Sequence, residues 1–217
     1  MTFKDFHYPT IWARRADLIV HIIGLALALF GGGIALGISV SHGIIGKVAA
    51  ISIYAFGMVA MLSFSMAYNF ANEKFQPFLR RLDHAGIFLM IAASYTPFTT
   101  QALHGNWAIF MTLAVWLIAG FGIFGKILLP GIGKFIWVLL YLGLGWMAVI
   151  AIKPMAAGLN LPSTILLALG GAVYSIGVIF YMSKRLKFRR AIWHGHVVAG
   201  ASLHYAAILV GIVLANN

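Results

Sequence analysis

The fold class follows from stretches such as residues 83–103, which read DHAGIFLMIAASYTPFTTQAL. Asp83 and His84 open a run of about twenty mostly apolar residues, the length that an α-helix needs to cross the hydrocarbon core of a bilayer. Similar runs precede and follow it, separated by short breaks that carry Gly, Pro, Asn and Ser. The sequence therefore predicts seven spans, over residues 18–40, 48–68, 84–103, 107–125, 135–152, 161–182 and 191–214.

The composition is that of a polytopic membrane protein. Hydrophobic residues make up 62% of the 217 residues, charged residues only 9%, and the mean hydropathy is +0.98. A soluble chain of this length could not bury so much apolar surface in one core, whereas lipid can solvate it. We predict an all-α seven-helix bundle with one transmembrane domain, residues 18–217. It follows a cytoplasmic or interfacial segment, residues 1–17, to which we assign no chemistry.

The distribution of positive charge predicts the orientation of the helices. Of the 15 Lys and Arg residues, 13 fall on one side of the predicted membrane, and only Lys47 and Lys153 fall on the other. Because cytoplasmic loops retain positive charge, seven spans with this asymmetry put the N-terminus in the cytoplasm and the C-terminus outside.

The net charge of +11 indicates anionic lipid head groups as partners. The basic residues lie in short segments between apolar runs and not on one continuous face, which argues against nucleic acid. The chain has no cysteine, so any metal site must be built from His, Asp, Glu or Asn.

Polar residues collect at the cytoplasmic ends of the predicted spans. Three pairs are four residues apart and so share a helix face: Asp17 with His21, Ser65 with Asn69, and Arg190 with His194. Buried polar groups are costly in lipid unless they meet one another, so we predict a network of these six residues with Asp83, His84, Ser94 and His204. His204 lies about 15 Å deeper than His194 at 1.5 Å per residue. A network that only ties the helices together is the alternative.

The other four histidines are interpreted as packing residues. They are His7, His42, His104 and His196.

Three segments resemble the hemolysin III proteins, which belong with the progestin and adipoQ receptors and look distantly like the alkaline ceramidases. Residues 82–87, LDHAGI, and 91–98, IAASYTPF, resemble the third-span signature of that family. Residues 192–194, IWH, followed by His204 and Tyr205, resemble its last span. Residues 17–24, DLIVHIIG, resemble its first span, with Asp17 where the family usually has Asn and without the glutamate that normally precedes it. The resemblance implies the plasma membrane of a bacterium.

The same resemblance implies a zinc ion at the cytoplasmic end of the bundle, held by one histidine late in span 2 and two histidines in span 7. Here the corresponding positions are Asn69, Arg190 and His194, so only one histidine is present. A neutral amide binds zinc poorly, and an arginine side chain cannot lose its proton to coordinate a metal. Zn²⁺ therefore requires substitute ligands, for which His21, His84 and Asp17 are the candidates. Otherwise we expect Arg190 to supply the positive charge and to pair with Asp83 or Asp17.

Two functions from different classes follow. In the first, the protein is a membrane-embedded hydrolase of a lipid amide or ester at the cytoplasmic leaflet, with Asp83 and His194 as candidate catalytic residues. In a zinc-dependent form, His194 would be a ligand and Asp83 would hold or deprotonate the attacking water. In the second, the protein is not an enzyme, and its His, Asp and Arg residues serve ion or proton passage, pore formation, ligand sensing or bundle assembly.

Overall fold

The computed structural model describes residues 7–129, 131–183 and 185–215, and the regular secondary structure of this part of the chain is helical. Its eight α-helices are α1 (Ile11–Ser41), α2 (Ile45–Phe70), α3 (Gln76–Gln101), α4 (Gly105–Leu128), α5 (Lys134–Gly145), α6 (Ile152–Gly158), α7 (Leu161–Met182) and α8 (Arg189–Ile208). Short 3₁₀ turns precede α3 and α6, and a π-helical turn, Leu209–Val213, extends α8.

The described helices confirm an integral membrane protein. Five of them, namely α1, α2, α4, α7 and α8 with its π-helical turn, are long and apolar enough to cross a bilayer. The helices α5 and α6 together form a sixth candidate span that is bent by 57°. The helix α3 has the same length as α2, 26 residues, but its first turns carry Arg80, Arg81 and Asp83, which make it less hydrophobic. Seven crossings therefore stay a prediction.

Several helices extend beyond the predicted spans. The helix α1 begins at Ile11 and not at residue 18, because Thr10 caps it by accepting a hydrogen bond from the backbone N–H of Ala13 at 3.2 Å. The helix α3 begins at Gln76, with proline in its first turn, and not at residue 84. In both cases the first turns carry charged residues, so apolar runs alone underestimate the helix length.

The predicted fifth span, residues 135–152, is not one straight helix. Gly145 ends α5, and a 3₁₀ turn, Met147–Val149, precedes α6. Pro154 then lies near the start of α6, where it can donate no backbone hydrogen bond to the preceding turn. Glycine and proline so close together disfavour a continuous helix here, which accounts for the bend.

One face of α1 is buried in the bundle and carries polar residues with it. Its buried residues recur every three or four positions and are mostly small: Ala13, Asp17, His21, Gly24, Ala28, Gly32, Ala35 and Ser39. Small side chains let helices approach closely in a membrane. A Cβ added at Gly24 would lie only 2.7 Å from Val198 of α8, and one at Gly32 would lie 3.1 Å from Ala55 of α2. The same stripe therefore carries Asp17 and His21 between α2 and α8.

Candidate functional site

The site is built around a buried pair on α1. Asp17 and His21 are 0% and 2% exposed. Nδ1 of His21 lies 2.8 Å from the backbone carbonyl oxygen of Asp17. Because a carbonyl oxygen can only accept, this nitrogen carries the proton, and Nε2 of the neutral ring has a free lone pair.

The carboxylate of Asp17 connects α1 to α8 and to the segment before α1. Its Oδ1 accepts a hydrogen bond from Nδ1 of His194 at 2.6 Å, and its Oδ2 accepts one from the hydroxyl of Tyr8. Nδ1 of His21 lies 3.7 Å from Oδ1. With donors at both oxygens, the buried carboxylate is compensated inside the bundle. Because Nδ1 bonds to Asp17, Nε2 is the ring nitrogen of His194 that is left for a second partner.

Ser65 of α2 lies between the two imidazole rings. Its Oγ is 3.2 Å from Nε2 of His21 and 3.4 Å from Nε2 of His194. The centroids of the two rings are 4.3 Å apart. The side-chain amide of Asn69 donates to the backbone oxygen of Ser65 at 2.9 Å and lies 3.5 Å from its Oγ. Three helices, α1, α2 and α8, thus meet around one hydroxyl group.

Arg190 has different partners from those predicted. Its Nη1 donates to Oδ1 of Asn69 at 2.6 Å, and its Nε donates to the backbone oxygen of His7 at 3.3 Å. Its Nη2 donates to Nδ1 of His7 at 3.0 Å. The guanidinium carbon lies 5.8 Å and 5.9 Å from the ring centroids of Tyr8 and Tyr68. Within the described residues, no ion pair joins Arg190 to Asp83 or Asp17, because the Asn69 amide and the N-terminal segment take up the guanidinium.

These residues open into a cavity of about 300 Å³. Ser65, Asn69, Asp83 and His194 lie in its wall. Asp83 has its carboxyl group beside Ser65 and within electrostatic reach of His194 and Arg190. The predicted deep residues Ser94 and His204 also line the cavity, and Nε2 of His204 donates to the backbone oxygen of Leu167 at 3.2 Å. One continuous space therefore joins the polar residues of the site to the interior of the bundle.

The cavity is basic at one end and largely apolar along its length. Arg80, Lys134, Arg189 and Arg190 line it where α3, α5 and α8 begin. Apolar side chains form much of the remaining wall, among them Met61, Leu62, Ile87, Ile91, Val138 and Val197. This distribution suits a molecule with an anionic or polar head and a hydrocarbon chain.

The structure offers a possible metal site that differs from the expected set of three histidines. Asp17, His21 and His194 could hold an ion, since one ligand atom from each lies within 4.8 Å of the others. The positions expected to bind zinc do not fit it, because the guanidinium of Arg190 is hydrogen-bonded to Asn69 there. A guanidinium would also repel the cation.

Of the three substitute ligands considered, His84 is not brought to this group. Its ring lies beside that of Tyr68, with centroids 6.5 Å apart, and its backbone oxygen accepts a hydrogen bond from the hydroxyl of Tyr141 at 3.0 Å. His84 follows Asp83 directly in a helix, so the two side chains point in different directions.

Sequence reasoning missed two residues of the site, His7 and Tyr8. The segment that contains them had been assigned no chemistry, and His7 had been interpreted as a packing residue. In the structure Tyr8 is 4% exposed and bonds to Asp17, while His7 bonds to Arg190. The only sequence signal is their position just before the helix that carries Asp17, because an irregular segment has no periodic pattern to interpret.

Comparison with known proteins agrees with this architecture. The sequence model of the family described as "Haemolysin-III related" matches residues 15–205, which contain every site residue from Asp17 to His204. The chain is 32% identical over 201 residues to "Hemolysin-3 homolog" of Bacillus subtilis (strain 168), covering 92% of this chain and 94% of that protein. It is also 32% identical over 197 residues to "Hemolysin-3" of Bacillus cereus, covering 89% of each.

The similarity extends to an animal protein. The chain is 29% identical over 208 residues to "Monocyte to macrophage differentiation factor" of Homo sapiens, covering 92% of this chain and 84% of that protein. The matches run through nearly the whole membrane domain and include both the first helix and the last. On the family match and the near-complete coverage of the Bacillus relatives, the chain belongs to the haemolysin-III-related family of integral membrane proteins.

Proposed function

We propose that this protein is a membrane-embedded hydrolase that cleaves a lipid amide or ester at the cytoplasmic leaflet, without zinc at the three positions that the family resemblance implies. The observation that carries the proposal is the buried group of Asp17, His21, Ser65 and His194, which opens into a largely apolar cavity. Imidazole and carboxylate groups held next to a hydroxyl can transfer protons in acyl chemistry. Asp83 is a further candidate catalytic residue in the wall of the same cavity.

The proposal includes a seven-span topology with the N-terminus in the cytoplasm. It counts α3 as one span and the bent pair α5 and α6 as another. Two hydrogen bonds support a common basic side: Arg81 donates to the backbone oxygen of Ile127 at 3.1 Å, and Lys134 donates to that of Tyr181 at 3.1 Å. These bonds bring the start of α3 to the end of α4 and the start of α5 to the end of α7. The Bacillus relatives support the plasma membrane of a bacterium.

This topology is testable because the natural chain has no cysteine. Cysteine introduced at Lys187, before α8, is expected to be protected from a membrane-impermeant maleimide in intact cells and to react after the cells are opened. Cysteine introduced at Asn106, at the start of α4, is expected to react in intact cells. Both native residues are exposed, so access to the introduced thiols reports the side of the membrane. Equal labelling of both variants in intact cells would contradict the orientation.

The lining of the cavity supports a lipid as the substrate and indicates how the lipid would be oriented. The basic end suits an anionic head group, and the apolar wall suits an acyl chain that extends toward Ser94 and His204. The carbonyl group of such a lipid would then lie near Ser65 and His194. We propose no nucleic-acid partner, since the basic residues line a cavity end and short loops.

Hydrolysis by the purified protein in proteoliposomes tests this function. We expect release of fatty acid from a vesicle lipid, and a loss of more than about a hundredfold in His194→Gln, because general acid–base catalysis contributes on the order of 10²–10⁴. The matched control is His196→Gln on the same helix, where Nδ1 of His196 bonds to its own backbone at Ile192. Vesicle lipids are supplied as separate phospholipid, lysophospholipid and ceramide preparations. The absence of fatty acid release from all three would contradict the hydrolase.

Proton passage is the second candidate, and one observation favours it. A smaller cavity of about 110 Å³ adjoins the first, and Tyr95, Trp146 and His204 line both. A histidine between two cavities is a plausible station on a proton path. The smaller cavity is largely apolar, however, which disfavours a hydrated path. Proteoliposomes that enclose a pH-sensitive dye distinguish the candidates: proton flux without fatty acid release would favour passage.

A further inference from the structure

We propose that Ser65, His194 and Asp17 form a catalytic triad in which Ser65 is the nucleophile, so that hydrolysis runs through an acyl group on Ser65. This inference rests on the proposed hydrolase function and specifies its chemistry. Ser65 was predicted only as a member of a polar network, and the zinc-based expectation gave it no covalent role.

The order of contacts is that of a serine hydrolase. Oγ of Ser65 lies 3.4 Å from Nε2 of His194, and Nδ1 of His194 lies 2.6 Å from Oδ1 of Asp17. The buried carboxylate fixes the tautomer, so that Nε2 presents its lone pair to the serine hydroxyl. The serine–histidine distance is longer than an ideal hydrogen bond, as is common for a nucleophile and its base before substrate binds.

The hydroxyl of Ser65 has different partners from those of four other helical serines in this protein. Ser39, Ser52, Ser175 and Ser202 each donate to the backbone carbonyl four residues earlier, at 2.8–2.9 Å. That bond is the usual way for a serine to satisfy its hydroxyl in a helix. The Ser65 hydroxyl instead lies beside two imidazole nitrogens and the carboxyl group of Asp83, at the wall of the cavity. It is therefore available to a base and to a substrate.

His194 is assigned as the base in preference to His21, although Ser65 lies near both rings. A base that accepts a proton becomes a cation, and a neighbouring carboxylate stabilises that cation more than a neutral carbonyl does. Nδ1 of His194 bonds to the carboxylate of Asp17, whereas Nδ1 of His21 bonds to a backbone oxygen. Asp17 is the positioning residue. The Ser65 hydroxyl has one proton and can donate to only one Nε2 at a time, so His21 is the alternative acceptor before substrate binds.

The two residues that replace the expected metal ligands supply the positive end of the site. The side-chain amide nitrogen of Asn69 donates one N–H to the backbone oxygen of Ser65 at 2.9 Å and lies 3.5 Å from its Oγ, so its second N–H can reach a carbonyl oxygen that binds beside Ser65. Arg190 binds the oxygen of the same amide at 2.6 Å, which polarises the group and brings a positive charge to the site. Asn69 and Arg190 together can stabilise the oxyanion, which is the role a metal would otherwise have.

The reaction requires only water and a long-chain acyl ester or amide. Oγ of Ser65 forms a bond to the carbonyl carbon while its proton passes to Nε2 of His194. The bond to the alcohol or amine then breaks, and that leaving group takes the proton from His194. Water next attacks the acyl carbon, gives a proton to His194 and releases the fatty acid, and Ser65 regains its proton. The acyl chain occupies the apolar part of the cavity throughout.

A long-chain alkyl fluorophosphonate tests the triad in the full-length protein. Its phosphorus forms a bond to an activated serine oxygen with loss of fluoride, which intact-protein mass spectrometry detects and peptide mapping locates. We expect one label per chain, on Ser65, and at least about a hundredfold slower labelling in Ser65→Ala and His194→Gln. Ser52→Ala is the matched control, because Ser52 lies on the same helix as Ser65 but bonds to its own backbone at Val48.

The outcomes separate the triad from the hydrolase function. Label on Ser65, with fatty acid release that needs Ser65 and survives a zinc chelator, supports both. Fatty acid release that persists in Ser65→Ala and stops with the chelator overturns the triad but still supports the hydrolase function. Label on Ser65 without release of any tested lipid supports the triad and contradicts the proposed substrate. If Ser65→Ala does not fold, peptide mapping of the labelled natural protein still identifies the nucleophile. A label on any residue other than Ser65 overturns the triad.

Discussion

The purified protein is expected to contain no stoichiometric zinc, whereas the double variant Asn69→His with Arg190→His is expected to bind one zinc ion per chain. In the natural protein, the guanidinium of Arg190 is bonded to Asn69, and neither group is a useful zinc ligand. The double variant removes the positive charge and restores three histidines together with His194. Three nitrogen ligands are the usual protein set of a catalytic zinc site. The measurement is metal analysis by inductively coupled plasma mass spectrometry after dialysis against buffered zinc.

The matched control for this double variant is Asn72→His with Arg189→His. It makes the same changes in charge and histidine number, but Asn72 is exposed at the end of α2 and Arg189 bonds to the backbone of Ser183. We expect no zinc in this control. Stoichiometric zinc in the natural protein would contradict the expectation. Its loss on His21→Gln would then assign the ion to the group of Asp17, His21 and His194.

Sequence spacing was sufficient to align polar residues within a helix. Asp17 with His21 and Arg190 with His194 share a face because four residues make about one turn. The positive-inside pattern then gave these pairs a common depth. The structure brings Asp17, His21, Ser65 and His194 into contact at that depth.

The partners across helices could not be predicted from spacing. Which helices are neighbours depends on how small residues such as Gly24 and Gly32 let α1 approach α8 and α2, and a single sequence does not specify those pairs. His84 was therefore included among the metal ligands although its ring lies beside Tyr68. For Arg190, the sequence predicts an ion pair with a carboxylate, because charge is the only property from which a single sequence indicates its partner. Its partners are instead Asn69 and His7, and His7 belongs to a segment without periodicity.

Substitution Asp17→Asn is expected to destabilise the protein by about 3–5 kcal/mol, because hydrogen bonds to a charged group contribute roughly 1.5–3 kcal/mol each and both carboxylate oxygens accept one. Asparagine keeps the shape but not the negative charge, and its NH₂ group can form a bond only if Tyr8 turns from donor to acceptor, since Tyr8 and His194 now donate to the two oxygens of Asp17. For a chain of this length, the expected fall in the thermal midpoint is about 10 °C.

The control for Asp17→Asn is Ser39→Ala, which alters another fully buried polar residue on the same face of α1. Among the residues that the structure describes, the hydroxyl of Ser39 bonds to the carbonyl of Ala35 in its own helix, so its loss is expected to cost no more than about 1 kcal/mol. Tryptophan fluorescence during heating in detergent measures both variants. If the two midpoints fell equally, the Asp17 network would not hold α1 against α8, and His194 would lose the support that its proposed role as a base requires.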